Sequence, residues 1–240
     1  MSQIKSTVPF ASGSARAKVL TILLVFGILF DCVAVLLGYL ETGLLSRIMA
    51  GYEATLEEID ANHVRMGVIG LLQLLVFIAT AFLFLMWFHR VHCNLPSFGA
   101  RDLQYSPRWA VGGFFIPIIN LTWPYRIARE IWKASDPAID ASDGLAWKKA
   151  SPSPLLGTWW TFWIISSLYG RIMVRSFRGA DSLEELLNVS WMTLAADILS
   201  VLTGVLAVLV VRAIASRQDE KCRRLAVAGM LPGISAQIRA

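Results

Sequence analysis

The sequence predicts an all-α membrane protein of four transmembrane helices, with a re-entrant or interfacial helical element between spans two and three. Three observations predict it. Four segments are apolar over about the 20 residues needed to cross a bilayer core. The 240 residues are 56% hydrophobic with a mean hydropathy of +0.58, and only 16% are charged, against about 25% in soluble domains. The Lys and Arg residues also segregate by side. A large soluble core would raise the hydropathy but would not give uninterrupted runs of spanning length.

In chain order, residues 1–18 are polar and small and are expected to be disordered. Span one is 19–40 and carries one charge, Asp31. Lys5, Arg16 and Lys18 precede it as in a signal peptide, but 22 residues exceed the roughly 7–15 of a signal's apolar region and no A-x-A site follows. It reads as a retained span. Residues 41–65 form an acidic loop. Span two is 66–88, with Gln73 as its strongly polar group, and a basic stretch follows.

Residues 109–123 number 15 and are too short to cross. Gly112, Gly113 and Pro117 interrupt them, and Pro107 and Pro124 bracket them. Proline removes a backbone donor, and in hydrocarbon the freed groups must be buried against protein or water. The expectation is a re-entrant or interfacial element over 105–135, not a fifth span. Within it, 125–135 reads as an interfacial helix with Ile127, Ile131 and Trp132 on one face and Arg126, Arg129 and Lys133 on the other. Those cations suit lipid headgroups or a partner protein; a solvated helix packed on the bundle is the plainer alternative. Residues 136–154 read as loop, 155–173 as span three, 191–211 as span four, and 212–240 as a basic, mostly disordered tail.

Charge decides orientation, because cytoplasmic flanks carry the excess of Lys and Arg. With four spans, the side holding both termini has three such residues before span one, eight in 89–154 and six in the tail, 17 of the 22 in all. A fifth span would reduce that side to 9. Both termini are therefore expected in the cytoplasm, with the net charge of +5 facing an anionic leaflet. No basic recognition element points to nucleic acid. Three unpaired cysteines give no disulfide framework. A short repeat, Leu56-Glu57-Glu58-Ile59 and Leu183-Glu184-Glu185-Leu186, precedes spans two and four and suggests two similar helical hairpins.

Asp31, Gln73 and Asp197 are the residues most suited to chemistry, since an intramembrane carboxylate is expensive. At 1.5 Å per residue they lie about 18, 22 and 21 Å from the inner ends of their spans. They therefore share a level, as a proton- or cation-binding layer or as a hydrogen-bonded layer that fixes helix register. His89 and His92 share a helical face but lack further ligands, so no metal, haem or other cofactor is expected. Trp87, Trp109, Trp123, Trp132, Trp159, Trp160 and Trp163 cluster near the inner side, as an aromatic belt or a lipid- or ligand-facing surface. No hydrolase, zinc-protease, P-loop or dinucleotide motif is present, and an enzyme is not expected.

Trp87-Phe88-His89-Arg90, Asn94-Leu95 and Tyr105-Ser106-Pro107-Arg108-Trp109-Ala110-Val111-Gly112 resemble the bacterial membrane family named domain of unknown function 4328. The likeness continues through Phe115-Ile116-Pro117, Asn120, Trp123-Pro124-Tyr125 and Trp132-Lys133-Ala134-Ser135-Asp136-Pro137. Leu156-Gly157-Thr158-Trp159-Trp160, Val211-Arg212-Ala213-Ile214 and Arg217-Gln218 extend it over roughly 15–224. His89 and His92 depart from the family's pattern. The resemblance implies a bacterial inner-membrane, multi-span protein and no activity. Two functions follow as expectations: a bundle handling an ion, proton or small solute, with 107–124 as its inner gate, or a non-transporting interaction or lipid-organising protein using helix 125–135.

Overall fold

The computed structural model describes residues 10–230, and every element among them is helical. Expectations for 1–9 and 231–240 lie outside the described residues. The long helices are α1 (Ser14–Met49) and α2 (Leu56–Cys93); two short ones follow, α3 (Trp109–Gly112) and α4 (Trp123–Ala134); then come α5 (Pro154–Arg178) and α6 (Leu183–Val227). Single 3-10 turns occupy Leu95–Phe98, Ile119–Leu121 and Ala146–Lys149.

Three helices are long and apolar enough to cross a membrane: Ser14–Met49, Leu183–Val227, and α2 continued into its 3-10 turn, Leu56–Phe98. Only 6–11% of the most apolar stretch of each is buried. Such a surface is the reverse of a water-soluble protein's, where apolar patches stay small. The sequence reading has four such helices, and α5 is the one that falls short. Its 25 residues suffice, but Trp159, Trp160, Trp163, Ser166, Ser167, Tyr169 and Arg171 dilute its apolar run.

The helices also outrun the apolar segments at both ends. The expected loop 41–65 shrinks to 50–55, and the expected disorder at 10–18 and 212–227 is largely helix. Hydropathy marks only the apolar part of a helix; the helix stops where a cap stops it. Gly51, at φ +93°, closes α1: its N–H donates to the Ile48 carbonyl (3.0 Å) and the Tyr52 N–H to that of Arg47 (3.0 Å), the paired bonds of a left-handed C-terminal cap. At the start of α2 the Glu58 N–H donates to the Thr55 hydroxyl (3.2 Å), and the Thr55 N–H to the Glu58 carboxylate (3.0 Å). Ser182 and Glu185 do the same for α6, at 3.3 and 3.0 Å. The repeat seen in the sequence is therefore a pair of capping boxes, and the cap each helix start needs accounts for it without duplication.

The chain divides into two compact units. One comprises Ile22–Thr80 and Trp159–Val208, the apolar parts of α1, α2, α5 and α6. Packing here is close: a Cβ on Gly204 of α6 would lie 2.8 Å from Cγ1 of Ile28 on α1. The other unit comprises Ala81–Thr158 with the chain up to Thr21 and from Leu209. Its core includes Trp87, Phe88, Leu95, Phe98, Ile127, Ile131 and Ile214, all essentially inaccessible. Gly99, at φ +83°, is required where a Cβ would strike the Ala141 carbonyl at 2.2 Å. The expected loop 136–154 is pinned there by the Arg101 N–H to Gly144 carbonyl bond (2.8 Å) and by Trp147 Nε1 donating to the Arg101 carbonyl (2.9 Å).

Candidate functional site

In the Ile22–Thr80 and Trp159–Val208 unit, three helices bring Asp31, Gln73 and Asp197 together. Nε2 of Gln73 donates one hydrogen to Oδ1 of Asp31 (2.8 Å) and the other to Oδ1 of Asp197 (3.0 Å). Asp197 is buried, while Asp31 and Gln73 are half-buried. One neutral amide thus serves two acids. An amide has two N–H donors, and both are used, so each carboxylate keeps acceptor capacity for a further group.

A second polar layer joins the same three helices nearer the start of α2. Asn62 Nδ2 donates to Oε1 of Glu41 (3.2 Å), and the Ser190 hydroxyl donates to Oε2 (3.2 Å). Arg65 donates to Asn62 Oδ1 (3.4 Å). Glu41 lies ten residues from Asp31 along α1, about 15 Å away.

The other unit contains the motif 107–124, which no single helix spans. Trp109 and Trp123 meet edge to face with centroids 4.7 Å apart, and Tyr105 meets Trp123 at 5.3 Å. Pro107 accepts from the Ala110 N–H (3.2 Å), Gly112 and Gly113 leave room beside Trp109, and Pro124 is buried in the first turn of α4. Phe114 packs against Phe84 and Phe88 of α2, at 5.8 and 5.9 Å. Between these anchors the chain exposes Phe115, Ile116, Pro117, Ile118 and Leu121 to different degrees, Ile118 most at 84%. Asn120 lies beside this tip with its Oδ1 buried and unbonded.

The apolar side of α4, Ile127, Ala128, Ile131 and Ala134, is wholly covered by protein. It is a packing face and not a lipid face. Trp132, expected there, instead takes the Arg217 guanidinium over its ring at 4.1 Å, and Arg217 pairs with Asp136 at 2.8 Å. Arg126, Arg129 and Lys133 lie on the open side and line a cleft of about 480 Å³ with Lys148 of the last 3-10 turn.

Behind this face is a buried polar network. Nε2 of His92 lies 3.0 Å from Oε1 of Glu130, at 0 and 4% exposure, and Oε2 accepts the Gln104 N–H (2.7 Å). Gln218 of α6 donates to the Val91 carbonyl (2.8 Å) and the Ser135 hydroxyl (3.0 Å), and accepts from Asn94 (3.0 Å). Lys221, one turn on, donates to the Ala134 carbonyl (3.0 Å). Burial pushes its ammonium down to about 8, which Asp136 opposes and Arg217 reinforces. Among the described residues no three His, Cys, Asp or Glu side chains converge as a metal site. His89 instead neighbours Cys93, at 3.7 Å.

A family model described as domain of unknown function (DUF4328) matches residues 51–216. The chain belongs to that family. The matched region holds Gln73, Asp197, the 105–137 motif and the His92–Glu130 pair, and it excludes Asp31 and Lys221. No curated protein and no solved structure matches the chain.

Sequence reasoning missed Glu130, Gln218 and Lys221. For Glu130 a signal was present: it stands three residues after Ile127 and four before Ala134, beside the buried stripe. Gln218 carried only its place in the family resemblance and Lys221 nothing, because a basic tail gives no hint that its helix returns to a core. Of the seven tryptophans expected at the inner side, Trp87, Trp159 and Trp160 are buried core residues, so a belt accounts for only part of the set.

Proposed function

We propose that this chain is a multi-span membrane protein that binds a proton or small cation between Asp31 and Asp197 and moves it across the bilayer. The observation behind this is the amide shared by two carboxylates. Both Oδ1 atoms lie within 3.0 Å of one nitrogen, hence no more than about 6 Å apart, where two negative charges repel by about 3 kcal/mol at an effective dielectric of about 20. A neutral amide offsets little of that, and one bound proton or monovalent cation relieves it. Such a group inside an apolar helix bundle is a functional site by default.

In this reading α5 crosses as the fourth span, its 25 residues exceeding the roughly 20 required. The segment 105–135 is then the re-entrant or interfacial element, with both termini on the cytoplasmic side of a bacterial inner membrane. A lone cysteine at Ser142 should resist an impermeant maleimide in intact cells and react after lysis; reaction in intact cells would reverse the arrangement.

The protein in proteoliposomes, under a pH or cation gradient, should pass ions faster than empty liposomes, and the Asp31→Asn, Asp197→Asn double variant should return flux to background. Equal flux in variant and wild type would end the proposal. A second reading rests on the exposed tip at Phe115, Ile116, Ile118 and Leu121: a protein that organises lipid or docks a partner through that tip and α4, and passes no ions. Wild-type flux at background would favour it.

A further inference from the structure

The cleft beside α4 carries a surplus of positive charge. Arg126, Arg129 and Lys133 recur at three and four residues along one helical face, and Lys148 stands across from them. One carboxylate lines the cleft, Glu130, and both its oxygens are engaged, by His92 and by the Gln104 N–H. Lys148 pairs with Asp102, and Lys133 donates to the Lys148 carbonyl (2.8 Å). That leaves two guanidinium groups, Arg126 and Arg129, with no ion pair among the described residues. Arg129 sits 5.7 Å from the Tyr125 ring, and its Nε is buried without a hydrogen-bond partner.

A buried guanidinium N–H without an acceptor is costly, and the planar fork of Arg matches the oxygens of a phosphate two at a time. The cleft, about 480 Å³, falls within the roughly 300–1,000 Å³ range of small-molecule sites and has room for more than a bare anion. We infer that this cleft binds the phosphate group of a phosphomonoester, held by the guanidinium groups of Arg126 and Arg129 with Lys133 and Lys148 neutralising its charge. Two sources offer that chemistry, a soluble phosphorylated metabolite and a lipid with a terminal phosphate. The inference stands apart from the diacid proposal, because none of these residues belongs to the Asp31, Gln73 and Asp197 layer.

The full chain in neutral detergent should be titrated calorimetrically with inorganic phosphate and, separately, with short-chain phosphatidic acid. Loss of one charge-assisted contact, about 1.5–3 kcal/mol, weakens binding about tenfold or more, which is expected for Arg129→Gln. Arg126→Gln, at an exposed position where folding is not at stake, should weaken it severalfold, and Arg129→Lys should restore it only in part. Lys149→Gln, beside the cleft but not lining it, should change nothing. Binding of both probes assigns the site to the phosphate group itself and admits a soluble ligand; binding of phosphatidic acid alone assigns it to lipid. The inference fails if neither probe binds, or if Lys149→Gln weakens binding as much as Arg129→Gln, which would mark a diffuse charge effect.

Discussion

Replacing Gln73 by Leu keeps most of the side-chain volume and removes the nitrogen that Asp31 and Asp197 share. Interhelical hydrogen bonds in bilayers average about 0.6 kcal/mol and reach about 1.7. Two such bonds are lost, so the variant should be less stable by about 1–3 kcal/mol. The sign should reverse where both acids are already gone. In an Asp31→Leu, Asp197→Leu background the Gln73 amide faces apolar neighbours alone, and an unpaired amide costs about 1–3 kcal/mol. There, Gln73→Leu should stabilise. The assay is equilibrium unfolding in mixed micelles of rising SDS content, followed by the fluorescence of the nine tryptophans. Equal destabilisation in both backgrounds would refute the reasoning, because Gln73 would then contribute by packing and not by bridging the acids.

Gly204→Ala should cost about 1–3 kcal/mol, the usual range for overpacking, since Cγ1 of branched Ile28 would be 2.8 Å from the new methyl group; in an Ile28→Ala background the same change should cost little, and a neutral Gly204→Ala in the wild-type chain would show that α1 and α6 yield there. For Lys221, burial lowers the folded-state ammonium from 10.5 to about 8. Between those values the unfolded chain holds the proton that the folded chain has released, so stability should rise with pH. Melting temperatures of wild type and Lys221→Met compared from pH 7 to pH 10 should show wild type gaining on the variant above about pH 8; parallel curves would mean that Lys221 titrates normally.

The level shared by Asp31, Gln73 and Asp197 was legible in the sequence because depth needs only the helical rise and the edges of each apolar run. Their rotational phase was not legible, and the two bonds of Gln73 had to come from packing. The broken character of 107–124 was legible too, since Gly112, Gly113, Pro117 and Pro124 leave no room for a continuous helix. Helix ends were not legible from hydropathy, because a polar stretch need not stop a helix; Gly51 and the Thr55 and Ser182 caps set the ends. The fate of α4 was half legible: the spacing of Ile127 and Ile131 shows an apolar face, but nothing local distinguishes a face buried in protein from one buried in lipid. Glu130, between Arg129 and Lys133 among the charges of α4, reads as surface until His92, 38 positions earlier, is placed beside it.

The two polar layers of α1, α2 and α6 act as dowels set at different heights through the same three rods. Sliding α1 by one turn, about 5.4 Å, would shear the Asp31–Gln73 bond and both bonds of Glu41 in a single stroke. Piston motion among these three helices is thus blocked at two points. α5 takes part in neither layer. It joins α6 through uncharged pairs, Ser166 with Thr203 at 2.8 Å and Thr193 with the Met173 sulfur at 3.6 Å. Of the four long helices it is the one whose displacement would leave both dowels in place, so the polar layers lock three staves together and leave the fourth to be held by packing and those uncharged pairs.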